Sequence, residues 1–295
     1  MHLVPVLRAH EALASAVAGS LLTDTTDGPD ASGAPIWSRA PPLAASLGSI
    51  PPHAPCYPHL STKIPICPGL RFILDGTANE DECRSVINAM TKAMVGAHSV
   101  GGQTSVALTD SLVRPDGCDR GDYELMRLLC ERVRLVVARA FGVDGGAGRL
   151  YHAGALLTRL SASLAGCSAP EHPYWNVHCD KANISKYDFS ALLYLNTRLP
   201  DHDEIAGQSD GGSVGDSGDA FNETTHFSGG AFAFIDGDGV DRTVHPRTGR
   251  LLAFTSGVEN LHQVRRVMRG QRNVIAMWFT LSADQREYDS ALALS

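Results

Sequence analysis

GRLLAFTSGVENLHQVRRVMRGQRNVIAMWFT, residues 249–280, sets short runs of Leu, Val, Ile and aromatic residues between Gly, Ser and Asn, which is a rhythm of strands rather than helices. The same rhythm extends upstream to Gly148 through YHAGALLTRL (151–160), YWNVHCD (174–180), FSALLYLN (189–196), GGAFAFID (229–236) and RTVHP (242–246). Counting LHQVRRV (261–267) and QRNVIAMWFT (271–280) separately gives about eight strands. Helical spacing appears only before them. A strand LRFIL (70–74) precedes a helix opened by the acidic run Asn79 to Glu82, with Cys83, Val86, Ile87, Met90 and Met94 on one face. A second helix runs from about Tyr123 to Phe141 and is stopped by GVDGGAG (142–148).

These elements predict a mainly β protein with supporting α-helices around a double-stranded β-helix, the cupin-like jelly-roll whose two sheets leave a mouth for a ligand. Residues 1–68 read as a flexible Pro-rich region, because ten of the sixteen prolines fall between Thr23 and Pro68 and no apolar period persists there. The folded domain is expected over residues 69–285, with helical support at 69–148 and the jelly-roll core at 149–282. An insert at 200–228 is Gly- and Ser-rich, holds seven acids without Lys or Arg over 199–225, and reads as a mobile surface loop.

At 295 residues and 43% hydrophobic content the chain can bury a full core, and its net charge of -7 argues against nucleic acid as a partner. Residues 3–22 are interrupted by Pro5, Arg8, His10 and Glu11, so no membrane anchor or clear signal peptide is expected, a soluble protein is, and the compartment is left open. Seven cysteines form no CxxC pair; Cys56 and Cys67 flank a loop-like segment, and their bridging depends on that same compartment.

Chemistry concentrates at four positions. On an extended chain, side chains two apart point the same way, so His178 and Asp180 at the end of YWNVHCD face one side. With His262 from a distant strand they would offer two imidazoles and one carboxylate to one face of a metal, an arrangement suited to non-haem Fe(II). His-x-acid arises by chance about once in a chain with this many histidines. His202-Asp203-Glu204 is read as such a solvated coincidence, and His178 with Asp180 fits equally well a buried hydrogen-bonded pair closing a strand. Arg272 is the further clue. It alternates with Val274, Ala276 and Trp278, so its guanidinium points inward and calls for an anion such as the far carboxylate of a keto-diacid.

With those residues in view, the chain resembles the 2-oxoglutarate and Fe(II)-dependent oxygenases of the prolyl and lysyl hydroxylase superfamily over roughly residues 150–282. YDFSALLYLN (187–196), HFSGGAFAFID (226–236) and PRTGRLLAFTSGVENLHQV (246–264) carry the likeness. The resemblance implies His178, Asp180 and His262 as iron ligands. It makes Arg272 the partner of the distal carboxylate of 2-oxoglutarate, Tyr194 a second partner of that carboxylate, and Val264 and Trp278 pocket-lining residues. Fe(II), 2-oxoglutarate, O2 and the reductant ascorbate are the implied cofactors. The implied activity is that of a dioxygenase hydroxylating a C–H bond, with release of succinate and CO2, on a peptide, a protein side chain or a small molecule. Two departures bear on specificity. Collagen prolyl 4-hydroxylases carry Lys where this chain has Arg272, and many prolyl hydroxylases follow the Gly-Gly pair with Glu where Gly229-Gly230 is followed by Ala231. The competing readings are a cupin-type metal enzyme that uses no 2-oxoglutarate, and a jelly-roll that binds peptides without catalysis. Asn183-Ile184-Ser185 and Asn222-Glu223-Thr224 are sequons that matter only in a secreted chain.

Overall fold

The computed structural model describes residues 36–39, 70–97, 99, 102–108, 118–141, 143, 150–162, 176–199, 225–235 and 241–286. Two helices form the support. Helix α1 (Glu80–Ala93) begins in a capping box: the Asn79 side chain accepts from the Glu82 amide, and the Glu82 carboxylate accepts from the Asn79 amide, each at 2.9 Å. Helix α2 (Arg120–Ala140) is capped by Asp119, which accepts from the Asp122 amide. The same Glu82 also takes both prongs of Arg132 at 2.8 and 2.9 Å, so one side chain starts α1 and fastens α2 to it.

The strands are β1 (Ile36–Arg39), β2 (Leu70–Leu74), β3 (Gln103–Ala107), β4 (Tyr151–Ser161), β5 (Phe189–Tyr194), β6 (Thr197–Arg198), β7 (His226–Gly229), β8 (Phe232–Ile235), β9 (Asp241–Val244), β10 (Leu251–Thr255), β11 (His262–Val264) and β12 (Val267–Thr280). The major sheet runs β1-β2-β10-β5-β12-β4-β3, with neighbours antiparallel along this path, and the minor sheet runs β11-β8-β9. β12 is the spine. It pairs with β4 along most of its length, with β5 on its other side, and through its first residues with β7.

Period-two alternation sorts the central strands into two cores. Leu251 and Ala253 of β10, Phe189, Ala191 and Leu193 of β5, Ile275, Met277 and Phe279 of β12, and Ala155 and Leu157 of β4 pack in one cluster with α1 and α2. Their neighbours Leu252, Phe254, Tyr194, Val274 and Leu160 pack instead with Phe232, Phe234 and Val264 of the minor sheet. Helices on one face of a sheet and a second sheet on the other is the expected double-stranded β-helix with supporting helices.

Several boundaries differ from the sequence reading. The described part of YWNVHCD, residues 176–180, is not a strand: His178 makes an isolated bridge to His262, and Asp180 opens a short helix, α3 (Asp180–Asn183). Cys179 between them is extended (φ −125°, ψ 145°), which is why His178 and Asp180 still reach a common point. The strand expected to end at Val267 is instead β11, ending at Val264, and the two-residue link Arg265–Arg266 crosses from the minor sheet into β12 of the major sheet, which begins at Val267. β7 takes up residues 226–228 of the acidic insert, β3 was unforeseen, and the Pro-rich stretch contributes β1, paired to β2. The remainder of residues 1–68, with Cys56 and Cys67, lies outside the described residues, as do His202, Asp203 and the sequon at Asn222. Among the described residues no helix is long and apolar enough to cross a membrane.

Phe189 is fully buried where the sheet meets α2, with its ring 4.8 Å from that of Phe141. Phe189→Ala is expected to cost about 3–5 kcal/mol, seen as a lowered denaturant midpoint.

Candidate active site

A pair of backbone hydrogen bonds founds the site. The His178 amide donates to the His262 carbonyl at 3.0 Å and the His262 amide returns the bond at 2.9 Å, setting two imidazoles from distant segments side by side with centroids 4.4 Å apart. Asp180 completes the group. Its Oδ1 lies 3.8 Å from His178 Nε2 and 3.9 Å from His262 Nε2, and one ligand atom from each of the three residues falls within 4.8 Å of the others.

Each imidazole is oriented from behind. Nδ1 of His178 is 2.9 Å from the Asn176 carbonyl and Nδ1 of His262 is 2.8 Å from that of Asn260. A carbonyl only accepts, so both Nδ1 atoms carry the proton and both Nε2 lone pairs point at the common centre. Burial, followed by the neighbouring His178, draws His262 down to about 4, which keeps it neutral and able to ligate near pH 7. Phe232 stacks on the His262 ring at 4.9 Å and Phe254 meets it edge-on at 5.0 Å, fixing the ring and drying its surroundings.

The same cleft, about 560 Å³ counted to its open mouth, runs from these three residues past Leu192 and Val274 to Arg272. Arg272 is 2% exposed, and its Nε and Nη2 have no hydrogen-bond partner. The guanidinium carbon stands 5.2 Å from the centre of the Tyr194 ring, and the equally buried Tyr194 hydroxyl is also without a partner. Burial draws the guanidinium down and pushes the phenol up, so Tyr194 stays a neutral donor. Among the described residues no carboxylate pairs with Arg272. A buried cation on the cleft wall with unspent donors, and a hydroxyl-bearing ring buried beside it, suit one end of a dicarboxylate, whose other end could reach a metal held by the triad. Gly230 (φ +64°) keeps this region open, since a Cβ there would sit 3.2 Å from Arg272 Cδ.

Of the five residues singled out from the sequence, His178, Asp180, His262 and Arg272 line one cleft, while Tyr194 is buried beside Arg272 without lining it; Val264 and Trp278 line the cleft too, and Trp278 stacks on Tyr187 at 4.9 Å. Sequence reasoning missed Ser190, which donates to Asp180 Oδ2 at 2.6 Å, and Asn260, whose carbonyl orients His262. Ser190 had a signal: it shares parity with Leu192 and Tyr194 in FSALLYLN, so a small polar residue stood on an inward face.

Residues 167–280 match the 2OG-Fe(II) oxygenase superfamily. 2-Oxoglutarate and iron-dependent oxygenase domain-containing protein 3 of Mus musculus is 33% identical over 172 residues, covering 58% of this chain and 45% of that protein. Prolyl 3-hydroxylase 1 of Rattus norvegicus is 28% identical over 249 residues, covering 76% of this chain and 30% of that protein. The chain thus spans less than half the length of these curated relatives. Among solved structures, a prolyl hydroxylase from Trichoplax adhaerens, in complex with a hypoxia inducible factor oxygen degradation domain peptide fragment, is 15% identical. It aligns with TM-score 0.48 over 98% of this chain and 96% of its own. A Pseudomonas putida prolyl-4-hydroxylase is 17% identical, with TM-score 0.44, over 71% and 91%.

Because the Arg272 donors are unspent in the ligand-free protein, Arg272→Met is expected to raise its unfolding free energy by about 1–3 kcal/mol. Thermal melts without added ligand check this, and a lowered midpoint would mean that the guanidinium supports the fold.

Proposed function

We propose, on the match of residues 167–280 to the 2OG-Fe(II) oxygenase superfamily, that this chain is an Fe(II)- and 2-oxoglutarate-dependent dioxygenase that hydroxylates a C–H bond on a protein side chain. The observation that carries this reading is the buried Arg272, with no hydrogen-bond partner at Nε or Nη2, in the same cleft as two imidazoles and a carboxylate. A metal enzyme without a keto-acid has no use for that cation.

In this reading His178, Asp180 and His262 hold the metal through Nε2, Oδ1 and Nε2 and leave its other face open. Arg272 and Tyr194 bind the distal carboxylate of 2-oxoglutarate and fix how far the keto-acid end reaches toward that face. Bound there, ferrous iron with 2-oxoglutarate and O2 supplies oxidative decarboxylation to succinate and CO2 coupled to insertion of one oxygen atom into the substrate C–H bond. Phe232, Phe254, Leu192 and Val274 keep the cleft apolar between the two polar ends, excluding bulk water. Trp278, on its stack with Tyr187, walls the cleft near the metal ligands, where a substrate side chain would be held. Ascorbate is proposed as the accompanying reductant. Likeness to relatives named as prolyl 3-hydroxylases supports a prolyl side chain as the substrate, with a lysyl side chain as the second candidate.

Incubation with Fe(II), 2-oxoglutarate and peptide pools should yield succinate in step with a one-oxygen mass increase on a peptide. Arg272→Gln should lower succinate formation by at least about 100-fold, as expected when a charged binding contact is removed from a dry site, with His178→Ala as the blank. An unchanged rate in Arg272→Gln would favour a metal enzyme that does not use 2-oxoglutarate.

A further inference from the structure

Asp180 is held at two points. Its Oδ1 faces both Nε2 atoms, whereas its Oδ2 accepts a 2.6 Å hydrogen bond from Ser190 Oγ. Ser190 is 2% exposed, and its Oγ lies 2.7 Å from the Oγ of Ser256, which is 1% exposed. The proton direction follows from valence. A hydroxyl has one hydrogen and the carboxylate only accepts, so Ser190 spends its hydrogen on Asp180 and Ser256 must donate to Ser190. Ser256 also grips the neighbouring backbone, its carbonyl accepting from the Lys181 amide at 2.9 Å, while its own amide donates to the Asp188 carbonyl at 3.0 Å. Lys181 Nζ closes the loop with a 2.6 Å bond to Asp188. Donors thus arrive at the carboxylate from one side only, along a line ordered Ser256, Ser190, Asp180.

We propose that Ser190, backed by Ser256, is a positioning residue that fixes Asp180 as a one-oxygen ligand. The inference rests on the metal-binding reading of the triad above. A carboxylate free to turn could offer both oxygens to a metal and take a position that the keto-acid or O2 requires. Here the second oxygen is committed to a charge-assisted bond in a buried setting, and rotation would strand the Ser190 hydroxyl without an acceptor. Neither serine touches the metal or the reacting atoms. Both act through Asp180.

The test uses Co(II) as a spectroscopic probe with the full-length chain, reading affinity by chelator competition and coordination by visible absorption with and without 2-oxoglutarate. Ser190→Ala is expected to weaken Co(II) binding by about 10- to 100-fold and to reduce the spectral change on adding 2-oxoglutarate, whereas Ser190→Thr, which keeps the hydroxyl, stays near wild type. Ser256→Ala, which leaves the direct bond intact, is expected to weaken binding by a smaller factor, about threefold. Unfolding of the metal-free variants is measured alongside, and a loss of stability with unchanged Co(II) affinity and spectrum would overturn the positioning role in favour of a purely structural one. If Ser190→Ala does not fold, Ser256→Ala decides, and wild-type affinity and spectrum there overturn the relay. A wild-type chain that binds no Co(II) would instead overturn the metal-site reading itself.

Discussion

The site depends on one two-way backbone contact, the reciprocal hydrogen bonds between His178 and His262. It is a single-residue bridge rather than a ladder. Because both partners in the bridge are themselves the clustered histidines, backbone pairing and imidazole convergence are one event. Everything else at the metal end refines it: carbonyls of Asn176 and Asn260 set the ring tautomers, phenylalanines lock the His262 ring, and Ser190 sets the turn of the carboxylate.

The far end of the cleft obeys a different logic. Arg272 is carried by the central strand at a position whose neighbours belong to the core, so the fold places a cation where solvent cannot reach it. Such a group weighs against folding unless an anion pairs with it. At the triad the rear atoms, both Nδ1 and Asp180 Oδ2, are fixed by hydrogen bonds while the Nε2 atoms and Oδ1 face a common centre, and at the Arg272 end the donors Nε and Nη2 are left to spare. The triad is thus oriented from behind by the protein itself, whereas Arg272 is held by its burial.

Most of this could be read in the sequence because period-two alternation is a strong signal. The inward face of β12 was visible as Arg272, Val274, Ala276 and Trp278, and β4, β5, β10 and most of β12 fell where apolar runs and turn residues placed them. Helix α1 was legible from its acidic opening and α2 from its apolar period, although α2 starts three residues earlier than that period shows, at Arg120. What escaped detection had no period to show. β3 is partly exposed throughout, β6 has two residues, and β1 lies among prolines, so only pairing with a neighbour makes each of them a strand. The change from extended chain to helix at Asp180 was hidden too, since four residues cannot display a helical repeat. Ser190 showed only as a small polar residue on an inward face, and its link to Ser256 was hidden for another reason: two serines separated along the chain acquire a joint meaning only when β5 and β10 lie side by side.

β12 pairs over nearly its whole length and carries Arg272, Val274, Ala276 and Trp278 on the cleft side. The buried cation and the stacked indole are thus the outer teeth of one rigid rack. A change at the Trp278 end or in the connections around the mouth can therefore reshape that part of the cleft without disturbing the Arg272 end.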